Sequence, residues 1–271
     1  MIRPPAVAGY FYPGDPHALR SQVQAFLQAE DAQGARAQRA IALVSPHAGY
    51  IYSGSVAASA FSRVKLPSKF FILSPNHTGE GALVALNKKG KWATPLGEAA
   101  IDSDLAEAFS QRCEIAEEDS LAHRAEHSLE VQIPFLQVLK KDFRFVPLTL
   151  HHLSYELCEK IGEELAETIR ASGEEVLIVA SSDMNHYESQ ETTMRKDQIA
   201  IDPILQLNPK ALYEQVHRHR VSMCGIIPTT VALVAAKRLG AKTAELIRHA
   251  TSGDVSRDYD RVVGYASFIL R

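Results

Sequence analysis

Val176-Leu177-Ile178-Val179-Ala180 runs directly into Ser181-Ser182-Asp183-Met184-Asn185-His186-Tyr187. A short, unbroken apolar run of this kind reads as a buried strand, so a strand is expected to end where an aspartate and a histidine stand three residues apart. Two earlier stretches share the design: Ile41-Ala42-Leu43-Val44 leads into Ser45-Pro46-His47-Ala48-Gly49-Tyr50, and Phe70-Phe71-Ile72-Leu73 leads into Ser74-Pro75-Asn76-His77-Thr78-Gly79. Open α/β sheets bind ligands outside the carboxyl ends of their strands. The three histidines meet there only if their strands are parallel neighbours in one sheet. The expected fold is therefore α/β, a single domain over 1–271 with a central mixed, largely parallel sheet flanked by helices.

The 271 residues contain no Pro/Gly/Ser linker that would divide them, and 46% hydrophobic with 23% charged residues is ordinary globular composition. A formal net charge of -3 argues against a general nucleic-acid or anionic-membrane binder, which would need a basic stripe. Cys113, Cys158 and Cys224 lie far apart without CxxC spacing, so neither a disulfide framework nor a zinc ribbon is indicated. No apolar h-region follows Met1, and no apolar window is long enough to span a bilayer. A soluble cytoplasmic protein is expected.

Taken in order, residues 3–14 read as ordered coil, and Asp15-Pro16 caps a helix running to about residue 30. The polar stretch 30–39 returns the chain to the first histidine strand, and residues 55–61 are helix-compatible. Strands are expected within 82–101, arranged as a hairpin at the sheet edge, followed by a helix over 103–112 capped by Asp102. Residues 126–139 carry Leu129, Ile133, Leu136 and Leu139 on one helical face, with Pro134 marking either a kink or the true start. A strand over 143–150, a helix from Ser154 to about 171, helices over 191–206, 208–220 and 229–239, and a strand over 262–270 complete the reading.

A single histidine at a strand end is most simply a satisfied polar group. Three at equivalent positions, two of them after Ser-Pro, point instead to a shared site, because proline fixes φ and drives the preceding serine to extended geometry. Asp183 and His186 could serve as ligand and base, or Asp183 could orient a histidine or cap the following turn. Cys224, beside Gly225 at an expected helix entrance, is placed where the dipole would favour thiolate; Cys113 and Cys158 read as buried structural cysteines. Glu126, His127 and Glu130 form a polar face that suits either a site wall or a solvated helix end. At most one of His151 and His152 could reach the pocket, and His217 and His219 read as surface. Neither a P-loop nor a nucleophile elbow is present.

Several long motifs together resemble the Memo family. They are Ala6-Val7-Ala8-Gly9-Tyr10-Phe11-Tyr12-Pro13, Pro46-His47-Ala48-Gly49-Tyr50-Ile51-Tyr52-Ser53-Gly54, Pro75-Asn76-His77, Thr94-Pro95-Leu96-Gly97, Glu126-His127-Ser128-Leu129-Glu130-Val131-Gln132, Ser181-Ser182-Asp183, His186-Tyr187, Cys224-Gly225 and Val262-Val263-Gly264-Tyr265. Prokaryotic members of that family are called AmmeMemoRadiSam system protein B. The resemblance implies a fold similar to the class III extradiol dioxygenases, which are non-haem Fe(II) enzymes. Carried over by position, it implies His47, His77 and Cys224 as metal ligands and His186 with Asp183 as the acid/base pair; the polar face of Glu126 and His127 is expected to support that site. Those dioxygenases have a glutamate where this chain offers a thiolate, a softer ligand that suits iron, copper or zinc. The implied function is a metal-dependent, dioxygenase-like oxidoreductase with Fe(II), Cu or Zn, acting on a small molecule or peptide. The alternatives are a peptide-binding module, disfavoured by the lack of an Arg cluster at these motifs, and a component acting beside AMMECR-type and radical-SAM proteins.

Overall fold

A computed structural model describes residues 1–32, 34 and 36–271. Gln33 and Ala35, within the polar connection 30–39, lie outside the described residues. The strands are β1 (Ile2–Arg3), β2 (Ala42–Ser45), β3 (Lys69–Pro75), β4 (Val84–Leu86), β5 (Lys91–Thr94), β6 (Gly97–Ile101), β7 (Glu117–Glu118), β8 (Arg144–Leu150), β9 (Val176–Ser181), β10 (His186–Glu188), β11 (Ala244–Thr251) and β12 (Val262–Leu270). The helices are α1 (Pro16–Asp31), α2 (Tyr50–Phe61), α3 (Ser103–Arg112), α4 (Leu121–Arg124), α5 (Ile133–Leu139), α6 (Tyr155–Ser172), α7 (Gln190–Leu205), α8 (Pro209–Arg218), α9 (Ile226–Arg238) and α10 (Gly253–Ser256).

The main path of the sheet runs β1-β5-β6-β8-β3-β9-β2-β12-β10, with β3, β9 and β2 adjacent and parallel at its centre. The three histidine strands are thus neighbours, as the sequence requires. Their register pairs Ser45 with Ser181 and Leu73 with Ala180, which brings the carboxyl ends level. Each strand is buried on both faces, as its continuous apolar composition demands. Alternate residues serve opposite cores. Val44, Phe71, Leu73, Ile178 and Ala180 pack among residues of α3, α6, α7, α8 and α9. Leu43, Phe70, Ile72, Leu177 and Val179 pack among residues of α1, α2 and α5. Full burial of each large side chain stabilises by about 1.5–3 kcal/mol.

The helix caps follow the local chemistry. Asp15 accepts from Ala18 N at 2.8 Å with Pro16 in the first turn, Asp102 accepts from Leu105 N at 3.0 Å, and Gly173 ends α6 with φ 66°. Four expectations are corrected. Residues 126–129 are not helical; a 3-10 turn at Glu130–Gln132 leads into α5, and Pro134 marks the true start because its missing N–H costs nothing in a first turn. Likewise α9 starts at Ile226, with Pro228 in its first turns, and α2 starts at Tyr50. The edge hairpin is β5–β6, turning at Pro95-Leu96, whereas β4 pairs antiparallel with β8. Strand β11 was not foreseen. Among the described residues no helix is long and apolar enough to cross a membrane.

Candidate metal centre

The ends of β2 and β3 deliver His47 and His77, and the loop before α9 delivers Cys224. One donor atom from each lies within 4.8 Å of the others. The His47 and His77 rings stand 5.2 Å apart, and Cys224 Sγ is 3.1 Å from His47 Nε2. A cavity of about 470 Å³ opens over them, walled by Phe11, His127, Asp183, His186, Tyr187 and Ser222.

Hydrogen bonds decide which nitrogen each imidazole presents. Ser181 Oγ donates its single proton to Ser128 O at 2.6 Å and accepts from Gln132 Nε2 at 2.9 Å. The 2.9 Å contact from His47 Nδ1 to that same oxygen must then be donated by the ring, so Nε2 carries the free lone pair that faces Cys224. His77 Nδ1 lies 2.9 Å from Glu126 Oε1, which as a carboxylate accepts, so its Nε2 is free as well. Burial, followed by the neighbouring histidines, pushes His47 well below its ordinary value and keeps it neutral, the form that ligates.

Glu126 is a fully buried clamp. Its oxygens accept from His77 N at 2.6 Å, Ser128 N at 2.9 Å and Ser128 Oγ at 2.6 Å besides the ring of His77. Burial alone would raise this carboxyl, but the His77 bond and charge, His127 and Ser128 outweigh it and hold Glu126 at about 2. Burial also depresses His77, and there the Glu126 bond and charge win, so its value is raised. His127 stacks on His77 at 4.7 Å and meets Phe11 at 4.6 Å; burial lowers it to about 4, so it is a neutral wall. The alternative of a solvated helix end is thereby excluded for this segment.

Asp183 caps no helix. Its Oδ1 accepts from His47 N at 2.7 Å, which fixes the backbone of the first histidine loop across the sheet end. Burial raises its carboxyl to about 6 against the pull of that N–H and of His186, where a proton can be exchanged near neutral pH. His186 lines the same cavity but is anchored elsewhere: its Nδ1 donates to Ser222 O at 2.8 Å. The neighbouring Tyr187 takes φ 60°, a conformation that a non-glycine residue holds only under local constraint.

One expectation for Cys224 is corrected. Burial, reinforced by Asp183, pushes its thiol well above the ordinary value, and the N–H groups of Asp183 and Gly225 oppose this only in part. The helix entrance alone does not make a thiolate, so a bound cation would have to displace the proton. His151 and His152 do not line the cavity, His217 and His219 are exposed, and Cys113 and Cys158 are buried as expected. Sequence reasoning did not single out Ser181 and Ser222, whose serine identity carries no signal of its own.

The donor set suits a borderline or soft ion: two neutral imidazoles and one thiol, on elements held by a packed sheet, with free lone pairs converging. Gly225 is needed for this approach, since a Cβ there would stand 2.3 Å from Ser182 Cβ and 2.4 Å from Ser181 O. Gly225→Ala is expected to cost about 1–3 kcal/mol by overpacking and to weaken metal binding by displacing Cys224. Denaturant midpoints and metal titration check this; a variant matching the native protein in both would contradict it.

Residues 3–269 match the family described as Memo-like protein. MEMO1 family proteins from Methanopyrus kandleri and Methanococcus maripaludis are 41% and 39% identical to this chain, each covering 100% of it and 99% and 100% of their own length. One from Sulfolobus acidocaldarius is 42% identical over 98% of both chains. Among solved structures, an uncharacterized protein from Escherichia coli K12 shares the fold with a TM-score of 0.57 at 13% identity, covering 85% of this chain and 100% of that one.

Proposed function

The chain belongs to the Memo family, and on that premise we propose that it is a metal-dependent oxidoreductase in which His47, His77 and Cys224 hold Fe(II), with copper or zinc accepted by the same donors. The observation that carries the reading is the convergence of those three donor atoms within 4.8 Å, with His186 on the same cavity yet outside the cluster. Bound there, an iron or copper ion would supply Lewis acidity and one-electron chemistry.

The protein's own residues supply the rest. His186, its Nδ1 proton committed to Ser222, offers Nε2 to take a proton from a substrate group. Buried Asp183, its carboxyl raised to about 6 by burial, lines the same cavity. Phe11 and Tyr187 form an aromatic wall, and among the described residues no Lys or Arg lines the cavity, which fits a small molecule or a peptide end rather than a polyanion. Free cysteines throughout suit a reducing cytoplasm. A place beside AMMECR-type and radical-SAM proteins is proposed on family membership alone.

Anaerobic titration with Fe(II), Cu(I) and Zn(II) tests the metal. The native protein is expected to bind, and the His47→Ala/His77→Ala double variant is not; equal binding would refute the reading. In oxygen-consumption screens, His186→Ala is expected to keep the metal and lose turnover by roughly 10²–10⁴-fold.

A further inference from the structure

Asn185 is fully buried and uses every polar group it has. Its N–H donates to Asp197 Oδ1 at 2.8 Å, and its C=O accepts from Gly264 N at 2.8 Å. Its Oδ1 accepts from Ser222 N at 3.1 Å and Ser222 Oγ at 3.0 Å, while Nδ2 donates to Glu188 Oε2 at 2.8 Å. An obligate donor on one side and a carboxylate on the other leave the amide a single orientation. Ser222 Oγ spends its proton on Asn185, so it accepts the backbone N–H of His186 at 2.8 Å. The carbonyl of Ser222 then accepts from His186 Nδ1 at 2.8 Å. One residue thus holds His186 at both backbone and ring, and Asn185 holds that residue.

The arrangement is backed from behind. Asp197 is fully buried and its Oδ2 is 2.8 Å from His249 Nε2 on β11. Gly264 has no side chain because a Cβ would stand 2.0 Å from that same oxygen. The loop that Asn185 grips also carries Cys224, two residues beyond Ser222. The ring of His186 is therefore placed by one buried amide through Ser222, whereas Cys224 is held by its own contacts to Asp183 N and His47 Nε2.

We propose that Asn185 is a positioning residue that, through Ser222, fixes the proton of His186 on Nδ1 and leaves Nε2 as the proton-accepting atom over the cavity. The proposal rests on His186 acting as acid/base. A neutral histidine side chain in water favours the opposite tautomer, with the proton on Nε2, so the protein must impose this one.

The test is long-range ¹H–¹⁵N correlation spectroscopy of the full chain labelled with ¹⁵N-histidine, at a pH well above the ordinary histidine range, with Zn(II) titration alongside. The native protein is expected to show His186 protonated on Nδ1. Asn185→Ala is expected to shift the tautomer ratio about tenfold toward Nε2–H while Zn(II) binding persists. Should Asn185→Ala fail to fold, Ser222→Ala, at an exposed position, removes the hydroxyl that joins Asn185 to the His186 N–H while leaving the backbone links, and is expected to move the ratio in the same direction by a smaller amount. A folded variant of either kind whose tautomer ratio is unchanged, or a native protein that lacks the Nδ1 proton, overturns the proposal. Because the tautomer is read without substrate, this outcome is separate from the turnover of His186→Ala, which tests the enzyme reading itself.

Discussion

Replacing Glu126 with alanine is expected to lower metal affinity by roughly 10–100-fold and to destabilise the fold by about 3–5 kcal/mol. The carboxylate accepts four hydrogen bonds and is fully buried, so its loss strands the backbone N–H and the ring of His77 together with both groups of Ser128. Without the clamp His77 is free to turn, and its Nδ1 proton has no fixed acceptor. Urea denaturation and metal titration read the two effects separately; an affinity within twofold of the native protein would count against the assigned role. The same group sets an acid limit. Because Glu126 is held at about 2 rather than 4.5, its contribution is complete above pH 4.5 and lost as pH falls from there toward 2. The loss is on the order of 3 kcal/mol. His77, whose value is raised, stays protonated in both folded and unfolded chains across that window and adds no slope. Glu126→Gln should therefore flatten acid unfolding between those limits, and an unchanged acid profile would contradict this.

Glu130→Ala should be comparably costly, about 3–5 kcal/mol, with a different local outcome. This buried carboxylate fastens the N-terminal arm, accepting from Arg3 Nη1 at 2.6 Å, Ala6 N at 2.7 Å, Val7 N at 3.1 Å and Tyr12 OH at 2.5 Å. The arm carries Phe11 into the cavity wall, and Phe11 O accepts Tyr50 N at 2.7 Å at the start of α2. Its release should expose the cavity and the guanidinium of Arg3, which otherwise lies 4.0 Å over Trp92. Limited proteolysis should then cut first within residues 3–14. Protection equal to that of the native protein would show that the arm is held by other means.

The central sheet was legible because its chemistry is local. Apolar runs at 41–44, 70–73 and 176–180 without alternation mean strands covered on both faces, hence parallel neighbours, and each histidine lies just past its run. Other features depend on partners distant in the chain. Glu126 looked equally like a helix end because its target, His77, is 49 residues away. Cys224 is 177 residues from His47, and its place beside the two histidines came only through the family motifs; its local setting pointed to thiolate, and burial outweighed the helix entrance. Asp183 was legible as a site residue, but its bond to the backbone of His47 was not. Strand β11, where Glu245, Arg248 and His249 interrupt the apolar residues, has little strand signature and is defined by its antiparallel pairing with β12.

The most direct measurement is elemental analysis with an anomalous-scattering map on crystals of protein purified anaerobically. The account predicts an iron or copper peak bounded by His47 Nε2, His77 Nε2 and Cys224 Sγ, with His186 close by but outside bonding distance. Protein that holds no metal there after exposure to Fe(II), Cu(I) and Zn(II), with those three side chains still converged, would contradict it.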